Sequence, residues 1–172
     1  MLTVIGVLLI LFSCTALAMQ KIAREKEKTE TARAFRRVFS YLAEGVEYTR
    51  SPLPSLLSQA AAEDFGEAEE FLWELVKGLS DGSKRTLEEV WRMSLRTYAD
   101  KHHLTPCMRR ILKNLGSGLG QLAAKAEIEN LNCACRELDE EILRGEKEFS
   151  ENAKLIRSSG VLLGILIVIL FL

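Results

Sequence analysis

Charge is missing from both ends of this chain. All 23 Lys and Arg and all 24 Asp and Glu of its 172 residues lie between Lys21 and Arg157. Proline is scarce, with three residues in the whole sequence, so nothing forbids long helices. No run alternates strictly between apolar and polar residues, which argues against a sheet. Net charge is also small, at -1, which argues against a nucleic-acid binder, since that would need a net basic face. Cysteine is too sparse for a disulfide framework: Cys14, Cys107, Cys133 and Cys135 fit no such spacing. Free thiols in a reducing compartment are the simpler reading.

What is present is organised around those uncharged ends. Residues 1–20 form a predicted transmembrane helix of roughly 30 Å, the hydrocarbon thickness of a bilayer. Residues 158–172 form a second, shorter one of roughly 22 Å, which Leu155 and Ile156 lengthen if Arg157 snorkels. Lys21, Arg24, Lys26 and Lys28 follow the first segment, and Arg144, Lys147, Lys154 and Arg157 precede the second. The positive-inside rule then places residues 21–157 in the cytoplasm, as a helical domain. A rival reading is export. Ala16-Leu17-Ala18 suits signal peptidase and Leu11–Cys14 faintly matches a lipoprotein box, but neither is preceded by a basic n-region.

The middle reads as all-α. Phe35, Val38, Phe39, Leu42 and Val46 make one apolar stripe on a helix that stops before Ser51-Pro52-Leu53-Pro54. Short helices are predicted over about Ser55–Glu63 and Glu67–Leu79, the second with Phe71, Leu72, Leu75 and Leu79 inward. Ser80–Ser83 is a turn, and a helix over about Lys84–Lys101 turns Leu87, Val90, Trp91, Leu95 and Tyr98 to the core. Thr105-Pro106 starts a further helix ending near Gly116. A last long helix begins near Gly120 or Gln121, with Leu122, Ala126, Leu131, Cys135, Leu138, Ile142 and Phe149 on its stripe. The first and last soluble helices are expected to pair, bringing Phe39, Leu42, Leu131 and Leu138 into one core.

Chemistry-bearing patterns are few. Gly116-Ser117-Gly118-Leu119-Gly120 lacks the Lys-Ser/Thr of a phosphate loop and reads as a helix–helix turn. Cys133 and Cys135 point to opposite sides of a helix, so they cannot share a metal ion; small core thiols are the simpler account. His102-His103 reads as a helix C-terminus, with the rings meeting its carbonyls and its negative end. Glu67–Glu70 and Glu137–Glu141 read as solvated faces, and Trp73 and Trp91 as core or interface anchors. No catalytic, cofactor-binding or metal-binding residue is named. The candidate partner interface is Arg33, Arg36, Arg37, Tyr48, Pro52 and Leu53. The arginines suit bidentate pairing with a partner's carboxylates; a basic face solvated beside an anionic membrane explains them as well.

Three stretches carry a family likeness: Tyr48 with Pro52-Leu53, the paired-glycine turn Leu115–Gly120, and the glycine-spaced tail Gly160–Leu172 behind Lys154 and Arg157. In their order and spacing the chain resembles the stage III sporulation protein AB family of endospore-forming bacteria. It departs from the family pattern at Gly45, where an acid is common, at Thr49, where glycine is, and around Ala123 and Glu127. The resemblance implies a non-enzymatic membrane scaffold in a secretion-like complex joining mother cell and forespore. Its helical domain would be similar to the cytoplasmic domains of type II secretion inner-membrane platform proteins. The implied partners are the membrane surrounding the forespore, other stage III sporulation membrane proteins and their cytoplasmic ATPase; no cofactor is implied. The alternative is an exported, signal-cleaved or lipid-anchored helical binding domain; a small membrane-bound enzyme is a third class.

Overall fold

The computed structural model describes the backbone over residues 2–49, 51–81, 85–120 and 123–171. Side chains are described at 20, 23–24, 26–49, 51–81, 85–120 and 123–151. The described residues form helices α1 (Leu2–Thr49), α2 (Leu53–Ala60), α3 (Glu69–Ser80), α4 (Leu87–Lys101), α5 (Pro106–Gly116) and α6 (Ala124–Phe171). A single 3-10 turn, Gly66–Ala68, leads into α3. No strand occurs among them, so the all-α expectation holds. Among the described residues no helix is long and apolar enough to cross a membrane. The expected spans, 1–20 and 158–172, fall on segments whose side chains lie outside the described residues, Gln20 apart.

The chain divides into two compact units: residues 28–143, and 1–27 together with 144–172. The second consists of the first part of α1 and the last part of α6.

Within 28–143, α1 and α6 pair as their stripes require. Phe35, Phe39, Leu42, Leu131 and Leu138 are all 0% exposed and share one core. Ser40 Oγ and Cys135 Sγ lie 3.8 Å apart across the seam. Burial among these apolar neighbours pushes the Cys135 thiol pKa up, despite its hydrogen bond with Ser40. Two positions leave the expected α6 stripe: Ala126 is exposed and Phe149 is 38% exposed, while Ala134 takes a core place instead. The stripe drifts around a straight helix, so its ends turn off the core.

Helices α3, α4 and α5 form a second layer over this pair. Phe71 and Tyr98 pack on Phe35 with centroids 5.3 and 5.6 Å away, and Trp91 lies 6.3 Å from Phe39. The Trp91 indole N–H donates to the Leu112 carbonyl at 2.9 Å, which satisfies its buried donor and locks α4 to α5. A Cβ on Gly116 would come within 2.1 Å of Trp91 Cδ1, so glycine there makes room for the ring. Gly45 likewise admits Leu56, whose Cδ2 lies 2.6 Å from where a Cβ would stand. Any side chain at that position needs Leu56 to move.

Starts and stops differ in detail from the sequence reading. α2 begins at Leu53, directly on the Pro52 cap, two residues earlier than expected. α4 begins later, because Thr86 and Glu89 build a capping box: Thr86 Oγ1 accepts from Glu89 N–H and Glu89 accepts from Thr86 N–H. Thr105 caps α5 as expected, accepting from Met108 N–H at 3.1 Å. The glycine loop is a helix–helix turn: Gly120 has φ +79, and its N–H donates to buried Glu127 at 2.6 Å.

Candidate partner interface

The six residues singled out by sequence do not form one surface. Arg36 faces α6 and forks onto Asp139, Nε to Oδ1 at 3.0 Å and Nη2 to Oδ2 at 3.5 Å. The bidentate geometry expected toward a partner is thus spent inside the bundle. Arg33 pairs with Glu30 at 2.6 Å. Arg37 is exposed and reaches the Phe65 carbonyl with Nη2 at 3.5 Å. Leu53 is only 5% exposed; it opens α2 on the inward face and belongs to the core, which corrects its place at an interface.

Tyr48 and Pro52 stand out more clearly. Tyr48 is 80% exposed at the end of α1, and Pro52 is exposed at the corner leading to α2. Tyr48 follows Arg37 by eleven positions of continuous helix, about 16 Å. Eleven positions is close to three turns, so both sit on the solvent side, opposite the Phe35–Val46 stripe. A shallow groove beside this corner is lined by Val46, Glu47, Pro52, Lys125, Glu127 and Ile128, and it joins the end of α1 to the start of α6.

Other expectations change with the geometry. The carboxylate clusters tie helices together rather than merely facing solvent. Glu70 accepts from Lys101 and lies 2.9 Å from His102 Nε2. Those two bonds, Lys101 first, hold the Glu70 carboxyl below the usual carboxylate range. Glu137 pairs with Arg110, and Glu141 accepts from the Thr105 hydroxyl at 2.6 Å. The His102 ring stacks on Tyr98, centroids 4.2 Å apart, and its backbone N–H rather than the ring meets the Tyr98 carbonyl. Cys135 is a core thiol, but Cys133 is exposed, as residues two apart on a helix must be. No cluster of three or more potential metal ligands occurs among the described residues.

The tryptophans separate too. Trp91 is 1% exposed and Trp73 is 60% exposed, with Met93 on α4 51% exposed. Sequence reasoning left Trp73 ambiguous. Its position two residues from both Phe71 and Leu75 puts it off the inward face, and that spacing was the available signal.

With this geometry in hand, the relatives decide the family. The sequence profile described as Stage III sporulation protein AB matches residues 3–172. The chain belongs to the stage III sporulation protein AB family. Its role is accordingly in sporulation. A relative in this family, Stage III sporulation protein AB of Bacillus subtilis (strain 168), is 23% identical over 172 residues, spanning 100% of both chains. A solved structure of Stage III sporulation protein AB matches with a TM-score of 0.65 at 20% identity, covering 72% of this chain and 97% of that one. That likeness speaks for the fold.

Proposed function

We propose that the protein is a membrane scaffold, a platform subunit of a secretion-like complex that links mother cell and forespore. The family match over residues 3–172 carries this reading, because it reaches the two uncharged ends as well as the bundle. Residues 1–20 and 158–172 would be the anchors in the mother-cell membrane surrounding the forespore. The flanking lysines and arginines favour a cytoplasmic position for the domain between them. Its partners would be other stage III sporulation membrane proteins and their cytoplasmic ATPase.

Among the candidate residues, Tyr48 and Pro52 are the side chains best placed to serve a partner, with Arg37 on the same side of α1. A large aromatic that is 80% exposed on a proline-fixed corner suits an interface anchor. Arg36 is better left out of the test, since its fork already holds Asp139. Affinity capture of the chain from sporulating cells tests the reading. A Tyr48→Asp change is expected to leave the protein in the membrane fraction and to lower the recovered ATPase at least about tenfold, the size of a 1.4 kcal/mol loss. Undiminished recovery of the ATPase with Tyr48→Asp contradicts this corner as the docking site.

A further inference from the structure

The outer face of the α3–α4–α5 layer carries two stripes of opposite sign beside exposed apolar side chains. On α3, Glu69 precedes Trp73 by one helical turn and Glu74 follows it, while Glu70 is already held by Lys101 and His102. Lys77 is the one cation on this helix. On the other side lies a basic seam. Trp91 bonds to the Leu112 carbonyl and Arg109 to the Ala99 carbonyl, which sets α4 and α5 antiparallel and in register. Arg92 and Arg96 on α4 and Arg109 and Lys113 on α5 thus lie on adjoining helices. All four are exposed, and none makes an ion pair among the described residues. Met93, 51% exposed, lies in the α3–α4 groove between the stripes, with Glu74 and Lys77.

Such a face is complementary to itself. Turned about a two-fold axis near Met93, the acidic α3 stripe of one copy meets the basic α4–α5 seam of another, twice over. Two-fold pairs are the commonest assemblies, and they require a self-complementary patch. Trp, Met and Arg are the residue types enriched in interface cores. Trp73 would lie over the Arg92 and Arg96 guanidinium groups, an arrangement that attracts cation to ring. We propose that a second copy of this chain docks on the α3–α5 face, with Trp73 of each seated on the Arg92–Arg96 stripe of the other. This pairing is separate from the Tyr48 corner and does not depend on the platform reading.

Charge swapping tests it. The full chain is purified in mild detergent, and its mass is measured by light scattering at about 50 µM, a concentration at which a micromolar pair is mostly formed. One variant carries Glu69→Lys and Glu74→Lys; the other carries Arg92→Glu and Arg96→Glu. The unaltered chain is expected to have the mass of a pair, and each variant alone that of a monomer, with unchanged helix content. An equimolar mixture of the two variants is expected to regain the paired mass, because every reversed stripe then meets its opposite. Trp73→Ala alone should raise the dissociation constant at least about tenfold, as truncating an interface anchor does. A monomeric unaltered chain overturns the proposal and leaves the seam to a different acidic partner. So does pairing by either variant alone, or a mixture that stays monomeric.

Discussion

Trp91 and Trp73 sit on neighbouring helices of one hairpin, and the protein uses them in opposite ways. Trp91 is enclosed by Phe39, Phe71 and the Gly116 backbone, with its one donor satisfied. Trp73 spends a comparable apolar area on solvent. The inner side of the α3–α5 layer is thus a fitted aromatic core, and the outer side an unburied surface. Aromatic residues alone do not reveal which side is which; helical phase does.

The largest expected effect exploits that contrast. Trp91→Ala should cost about 3–5 kcal/mol in denaturant unfolding, through the cavity it leaves. Trp73→Ala, measured at a dilution where the chain is unpaired, should move stability by no more than about 0.5 kcal/mol. Comparable losses at both sites would erase the distinction between the inner and outer sides. The α1–α6 seam provides the next test. Leu42→Ala and Leu138→Ala each empty a fully buried site, so each should cost about 2–5 kcal/mol. An unchanged unfolding midpoint in both would break the paired-helix architecture.

The pairing of the long helices was readable from the sequence because a stripe such as Phe35–Val46 persists for several turns. In the second layer the sequence places α5 correctly, from Pro106 to Gly116, but starts α3 and α4 two to three residues early. The capping box of Thr86 and Glu89 sits close behind Ser80–Ser83, and a turn reading there let α4 start too early. Side-chain partners across helices were the least legible part. Nothing local ties Arg36 to Asp139, which is 103 residues away, or Glu70 to His102. The candidate interface suffered for that reason: periodicity showed that Arg36 leaves the apolar stripe, but not that a second helix already meets it there.

Smaller effects sharpen the contrast between local and long-range ties. Thr86→Ala should lower stability by about 1 kcal/mol, the usual value of an N-cap, with no change in the pairing of α1 and α6. An effect below about 0.3 kcal/mol would show that the capping box adds little to α4. Acid titration should give the smallest signal. Glu70 takes up its proton less readily in the folded chain than in the unfolded one. Stability should therefore fall as pH drops from the ordinary glutamate range through the lowered folded value. Because the pair is half exposed, the loss should be slight and should shrink further in high salt. A Glu70→Gln chain that keeps the same acid dependence would show that other carboxylates cause it.

The side of the membrane on which the bundle lies bears most directly on whether the chain is a cytoplasmic platform. Cys133 is exposed while Cys135 is buried, so a chain with Cys14→Ser and Cys107→Ser has one reactive thiol on the bundle surface. Expressed in a non-sporulating bacterium, where the cell membrane faces the medium, that thiol can be probed with a membrane-impermeant reagent. The expected result is no labelling of Cys133 in intact cells and full labelling after the membrane is opened. Labelling of Cys133 in intact cells would place the bundle outside and contradict the cytoplasmic platform.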